Sequence, residues 1–204
     1  MIDDELPASS SLDPASALCT ACGLCCDGTL FARVRVRADE EERIAARGLA
    51  IAPRGEKRYF EQPCPRLEQG CCTIYADRPL SCTRYRCRLL LALDGGEVAL
   101  PEALAKVTEA KRLIEATRPG WASGENANAA RSRWLASPAS AWLATGDPGA
   151  IRFHFAMMVV TLYLDRNFRL ERHRMIVETG AAGALAESRA EQDEPGATRS
   201  DSAG

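Results

Sequence analysis

Hydrophobic positions in the second half of the chain follow a helical period. Residues 101–117 carry apolar side chains at the spacing of one helix face, namely Leu104, Val107, Ala110 and Ile114. This pattern predicts an amphipathic helix, and Pro101 suits its first turn, where a missing backbone N–H is tolerated. A second helix is predicted after Asp147 and Pro148. Its residues 151–164 are apolar on nearly all sides, as expected of a helix buried in the core.

The first half of the chain shows a strand period instead. Two valines, Val34 and Val36, alternate with three arginines, Arg33, Arg35 and Arg37. This alternation predicts a half-buried strand whose outer face is a row of arginines. A short helix is expected next, with Asp39 as its N-cap, Ile44 facing inward and Gly48 at its end.

The residue pattern of positions 55–75 predicts two more strands. One is centred on Tyr59 and Phe60, and the other carries Cys72 and Ile74. A turn is expected between them at Gln69 and Gly70. Pairing of these two strands would form a hairpin that holds cysteines at both ends.

These patterns together predict an α+β fold. A small, irregular, cysteine-rich module with short strands, stapled by metal, is expected at residues 18–94, and a mainly helical region packing on it at residues 98–178. Residues 1–17 are expected to be a flexible arm. Residues 181–204 contain one large apolar side chain, Leu185, and we expect a disordered tail there.

All nine cysteines lie between residues 19 and 87. The run at Cys19, Cys22, Cys25 and Cys26 places two residues between successive thiols, a spacing that lets the chain fold back on one ion. The first residues are acidic and lack the apolar core of a secretory signal, and no segment is apolar enough to span a bilayer. We therefore expect a cytoplasmic protein, where clustered cysteines are metal ligands more often than disulfides.

Charge is distributed unevenly along a nearly neutral chain. Residues 19–90 contain 13 Lys and Arg against 9 Asp and Glu, and the remainder contains 13 against 19. A basic segment can bind nucleic acid, but a cluster of metal-bound thiolates also needs nearby cations. Because the cations alternate with cysteines rather than with aromatic residues, we expect metal ions and no nucleic acid or membrane as partners.

Cys82 and Cys87 set a geometric test for any metal site. Residues five apart on a regular α-helix point about 140° away from each other. Either the two thiols serve different sites, or the chain stays irregular until Cys87 and a helix follows at residues 88–93.

Metal ligation within this window would be through sulfur alone. The two histidines, His154 and His173, lie far downstream; the first is expected in the core and the second on a solvated basic face. Eight thiols can form two four-cysteine zinc sites or one iron–sulfur cluster with spare ligands. The spacing of Cys19, Cys22 and Cys25, with a remote Cys-Pro at Cys64, favours iron. Cys26 has no role in that scheme, because adjacent residues seldom bind one small ion, and it indicates a second site.

These motifs resemble the CxxCxxCC cysteine-cluster family. The resemblance is carried by the four-cysteine run, by Cys64-Pro65, by Gly70, Cys72, Ile74 and Tyr75, and by Arg78-Pro79 with Cys82. It implies a domain that chelates zinc or iron, and flagellin lysine methylases carry a similar domain. Cys71 departs from the family pattern and is expected to be a spare thiol.

We therefore predict a metal-binding protein with eight ligands: Cys19, Cys22, Cys25, Cys26, Cys64, Cys72, Cys82 and Cys87. The expected cofactor is an iron–sulfur cluster or iron, and zinc is the alternative. A different hypothesis is a non-catalytic zinc-stapled module that presents its arginine row to a protein partner. The sequence identifies no catalytic residue, so it leaves open whether the protein is an enzyme.

Overall fold

The structure is a computed structural model, and it describes residues 13–173. The predicted α+β fold is confirmed, with a mainly helical C-terminal region. The strands are β1 (Arg33–Val36), β2 (Ala52–Arg54), β3 (Lys57–Glu61), β4 (Leu67–Glu68) and β5 (Cys71–Cys72). The helices are α1 (Pro14–Cys22), α2 (Glu41–Ala46), α3 (Leu80–Arg84), α4 (Arg88–Asp94), α5 (Leu100–Glu115), α6 (Ala127–Ala136), α7 (Ala139–Ala144) and α8 (Pro148–Asn167).

The predicted arginine–valine strand is β1, and it belongs to a three-stranded antiparallel sheet. Its order is β1-β3-β2, and Val34 lies opposite Phe60. Val34 and Val36 are buried, and Arg35 is exposed, as the alternation predicts. The buried face packs on Ile44 of α2 and on Leu49, which gives the sheet a small hydrophobic core.

The predicted turn at Gln69 and Gly70 is confirmed, but its hairpin differs from the expected one. Both residues have positive φ, 49° and 82°, and they connect β4 to β5. The strand at Tyr59 and Phe60 pairs with β1 and β2 instead. Its Phe60 lies opposite the β-branched Val34 of β1, and the β4–β5 hairpin has only two residues in each strand.

A larger core lies among the helices. Helix α5 packs between α1 and α8, and α1 also contacts α4. Val107, Ala110 and Ile114 of α5 are buried, as predicted. The predicted N-cap at Asp147 is confirmed, since its carboxylate accepts a hydrogen bond from the Ala150 N–H at 2.7 Å. A second N-cap, Asp13 at the start of α1, was not predicted; it accepts a hydrogen bond from the Ser16 N–H at 3.0 Å.

Helix α8 is not buried on all sides, so that expectation was wrong. One face carries Phe153, Met157 and Leu164 into the core. The opposite face leaves Phe155, Val159 and Leu162 about half exposed. The helix is an outer layer of the fold, and a run that is apolar all round does not by itself distinguish inner from outer helices.

Three further expectations need correction. Helix α1 begins at Pro14, so residues 14–17 are helical rather than part of a flexible arm. Glu40, not Asp39, is the N-cap residue of α2, and its carboxylate accepts the Arg37 N–H of the preceding turn at 3.1 Å. His173 is buried against Phe31 and Tyr85 instead of solvated.

The expectations for residues 1–12 and 174–204 lie outside the described residues. In the described part, no helix has both the length and the apolar character needed to cross a membrane.

Candidate metal centre

The cysteines are brought together by four elements and the loops that join them: α1, β5, α3 and the start of α4. Helix α1 carries Cys19 and Cys22 near its C-terminal end, and Gly23 ends it with φ of 71°. The chain then turns tightly, since the Cys26 N–H donates to the Gly23 carbonyl at 2.8 Å. A side chain at Gly23 would crowd the Gly70 carbonyl, at 3.2 Å from the Cβ position. Glycine therefore allows the four-cysteine run and the β4–β5 hairpin to approach each other.

One group of thiols, which we call the Cys87 group, consists of Cys19, Cys22, Cys25 and Cys87. Burial raises the pKa of Cys25 well above its ordinary value, and nearby Cys87, Cys22, Cys26 and Cys19 raise it further. Burial likewise raises the pKa of Cys22 to about 12, with added effects of Cys87 and Cys19. Cys87 caps helix α4, and its sulfur accepts the Leu90 N–H at 3.4 Å.

The other four thiols form the Cys82 group: Cys26, Cys64, Cys72 and Cys82. Burial raises the pKa of Cys82, and the charges of Cys26, Cys64 and Cys72 raise it further. Burial also raises the pKa of Cys26, and the nearby Cys72 and Cys64 raise it further, to about 12. A backbone hydrogen bond of 2.7 Å from the Cys64 N–H to the Cys26 carbonyl fixes two members directly.

The two groups pack on different hydrophobic cores. The whole Cys87 group lies against the large helical core. In the Cys82 group, Cys64 belongs to the small core under the sheet, and Cys26 and Cys82 pack against it. Adjacent Cys25 and Cys26 thus pack against different hydrophobic cores.

The geometric test at Cys82 and Cys87 has a clear outcome. Helix α3 ends at Arg84, Tyr85 is extended, and α4 starts at Arg88. The chain is therefore irregular between the two thiols, and they also join different groups. The structure places Cys64 with Cys26 rather than with Cys19, Cys22 and Cys25. Cys71 is exposed, outside both groups.

A mainly apolar cavity of about 90 Å³ lies between the groups. Seven cysteines line it, all of the eight except Cys64, together with apolar side chains such as Leu24 and Phe31. All nine thiols are free of disulfide bonds. Within residues 13–173, no three His, Cys, Asp or Glu side chains already stand at metal-binding geometry. The thiols of each group are neighbours, but they do not form a closed set around one point.

Arg78 lies between the two groups, a role that the sequence did not reveal. Burial raises the pKa values of Cys19, Cys26 and Cys82, and the Arg78 guanidinium offsets part of each rise. The guanidinium stacks on Tyr75, 3.6 Å from the ring centroid. The excess of cations among the cysteines was the available signal, but it did not single out one residue.

The helical region holds the segment that follows Cys26. Arg131 donates to the Thr29 carbonyl at 2.9 Å and Arg169 to the same oxygen at 3.3 Å. Arg169 also forms a buried ion pair of 2.9 Å with Asp165. His154 is a satisfied core residue, as predicted, since the Trp134 indole N–H donates to its Nδ1 at 3.0 Å.

The model of the CxxCxxCC family, described as "Putative zinc- or iron-chelating domain", matches residues 18–109 of this chain. The resemblance seen in the cysteine motifs is thus confirmed. The matched range contains both cysteine groups, Arg78 and the first part of α5. No curated protein and no solved structure matches the chain.

Proposed function

We propose that this protein binds metal at two all-cysteine sites, one in each cysteine group, and that iron–sulfur chemistry is its function. The observation that carries the proposal is the division of eight thiols into two groups of four. Four thiolates are the complete ligand set of a tetrahedral zinc site and of an iron–sulfur cluster. Oxygen-preferring ions such as magnesium and calcium find no suitable ligands among these sulfurs. The family description agrees with a zinc- or iron-binding site.

The arrangement of the Cys87 group favours an iron–sulfur cluster. Three of its cysteines have the spacing C-x2-C-x2-C, and the fourth comes from a distant element. In two-cluster bacterial ferredoxins, the fourth cysteine of such a run binds the other cluster. Cys26 stands in a comparable relation to Cys19, Cys22 and Cys25, because it faces the second group.

The cavity supports the same choice. One water needs about 10–15 Å³ of such space, and the space between the groups is about 90 Å³. This space adjoins both groups, so it leaves room for the inorganic atoms of a cluster bound by either group. When bound, a cluster would supply one-electron transfer. The residues around it would keep it from water on the helical side, and Arg78 would balance the charge of its thiolates.

The second candidate is a zinc-stapled module without catalysis. Its supporting observation is that Arg35 and Arg37 are exposed, so that they could face a protein partner. Four thiolates around zinc leave no position for an activated water, so this module would act through binding alone. In either case metal would contribute to folding, because the small core under the sheet has six buried apolar side chains among the residues that the structure describes.

Anaerobic purification followed by metal analysis, sulfide analysis and an absorbance spectrum of one sample tests the proposal. We expect iron, acid-labile sulfide and broad absorption in the visible range. A colourless protein with about two zinc ions would refute the iron–sulfur assignment and keep the two sites. A protein that retains neither metal after reconstitution would refute metal binding itself. Cys71→Ser is the matched control and should retain full metal content.

A further inference from the structure

A second cavity, which we call the basic groove, lies between the end of β1, the start of β3 and helix α3. Its volume is about 530 Å³. Five cations and two carboxylates line it: Arg35, Arg37, Lys57, Arg58 and Arg84, with Asp39 and Glu56. The cysteine cavity is apolar by comparison, so the two are chemically distinct.

A buried carboxylate fixes two walls of the basic groove relative to each other. Glu40 is buried, and one of its oxygens accepts the Arg37 N–H at 3.1 Å. The other oxygen accepts the Leu80 N–H, at the start of α3, at 2.9 Å. The arginines on β1 and α3 are therefore carried by backbones that are tied together, and the groove is largely preformed.

Two of the groove's cations, Arg37 and Arg58, form ion pairs near solvent with other described residues. Arg37 pairs with Asp39 at 2.8 Å, and these side chains are 50% and 68% exposed. Arg58 pairs with Glu41 at 2.7 Å, again near solvent. Such pairs contribute little stability, so an incoming anion can replace the carboxylates at small cost.

The groove's chemistry defines its ligand class. Guanidinium groups bind phosphate and carboxylate through two parallel hydrogen bonds. The groove's volume is that of a small-molecule site, and none of the described residues that line it is aromatic, as stacking with a nucleic-acid base would require. We infer that the basic groove binds a small anion carrying two or more phosphate or carboxylate groups.

This site goes beyond the proposed metal function and does not depend on it. The two are neighbours, however, because Ser81 and Arg84 line the groove while Cys82, between them, belongs to the Cys82 group. Metal content measured in every sample below reports on the cysteine sites. Failure of anion binding with full metal content is thus distinguishable from failure of the metal proposal.

Isothermal titration calorimetry at low ionic strength tests the inference with two probes, inorganic pyrophosphate and tricarballylate. We expect saturable 1:1 binding of at least one probe, and the tighter of the two identifies phosphate or carboxylate as the preferred group. Arg37→Gln and Arg84→Gln, from different walls, should each weaken binding about tenfold or more, as expected for one charge-assisted contact. Arg54→Gln is the matched control: it makes the same charge change on exposed β2, outside the groove, and should change affinity less than twofold.

Three results would overturn the inference. Neither probe binding in a saturable 1:1 manner would refute an anion site. Equal weakening by Arg54→Gln and Arg84→Gln would show diffuse surface charge instead of a site. A single-stranded oligonucleotide that binds more tightly than either probe, with equal sensitivity to Arg54→Gln, would show an extended nucleic-acid surface.

Discussion

Adjacent Cys25 and Cys26 allow the two-site arrangement to be tested by one pair of substitutions. Cys25→Ser removes a ligand from the Cys87 group, and Cys26→Ser removes one from the Cys82 group. Serine nearly preserves the volume of cysteine, so packing changes little. We expect each variant to lose half of the bound metal and the double variant to lose all of it, as measured by metal analysis of the purified, folded protein.

The two substitutions should destabilise different parts of the fold. A structural zinc site contributes about 10–16 kcal/mol to folding in small zinc-finger peptides, which is comparable to the whole net stability of a domain, about 5–15 kcal/mol. Loss of one site should therefore unfold its surroundings locally. Hydrogen exchange should show lost protection in β1 and β3 for Cys26→Ser, since the Cys82 group packs on the sheet core. For Cys25→Ser the loss should be in α1 and α4.

Cys71→Ser provides the control, because Cys71 is an exposed thiol outside both groups. Its metal content and exchange pattern should equal those of the unchanged protein. The reasoning would be refuted if Cys25→Ser and Cys26→Ser each removed all of the metal, because one shared centre would then use both thiols. Identical exchange patterns in the two variants would also contradict the assignment of the groups to separate cores.

Three other predictions concern the surroundings of the sites. Arg169→Met should lower the free energy of unfolding by about 3 kcal/mol in a urea titration, because it removes the guanidinium that lies 2.9 Å from the buried Asp165 carboxylate. Adding Asp165→Leu to the same chain should recover most of this loss, and no recovery would contradict the ion-pair explanation. Arg78→Gln should weaken metal binding at both groups in a chelator competition, and Arg78→Lys should restore part of it; weakening at one group alone would show that the cation is not shared. Gly120→Ala should lower the free energy of unfolding by about 1–3 kcal/mol, since its Cβ would clash with the Phe153 ring, and an unchanged thermal midpoint would show that the ring moves away freely.

Local patterns in the sequence were sufficient for the elements that depend on near neighbours. Val34 and Val36 alternate with arginines, and this alone defines β1. The turn at Gln69 and Gly70 followed from residue types that tolerate positive φ. Helix α5 and the N-cap at Asp147 were likewise predicted, because periodicity and capping are properties of a few consecutive residues.

Features that depend on distant contacts were not accessible in this way. The partner of the strand at Tyr59 was assigned to β5 although β1 is its neighbour, because strand pairing is decided by the whole sheet. His173 was expected in solvent, since its neighbours in sequence are arginines, but it packs against Phe31 and Tyr85 from the far end of the chain. Exposure of Phe155, Val159 and Leu162 could not be inferred from a run that is apolar on all sides.

The division of the cysteines was predictable in part, and the part that was missing has a physical explanation. Adjacency of Cys25 and Cys26 indicated a second site, and the spacing of Cys82 and Cys87 left two possibilities, different sites or an irregular chain between them. The choice of partners depends on where the two hydrophobic cores meet. The four-cysteine run lies between α1, which packs on the helical core, and the Cys26–Cys64 contact, which packs on the sheet core. Successive side chains at this junction face opposite cores, so the boundary between the cores determines which thiols become neighbours. On this argument, a substitution that disturbs the packing of one core should lower metal binding by the adjoining group even if it leaves every cysteine in place. Leu24→Ala, which removes a fully buried side chain beside the run, is the direct test: we expect reduced metal content in the Cys87 group, and unchanged content in both groups would contradict the link between core packing and ligand choice.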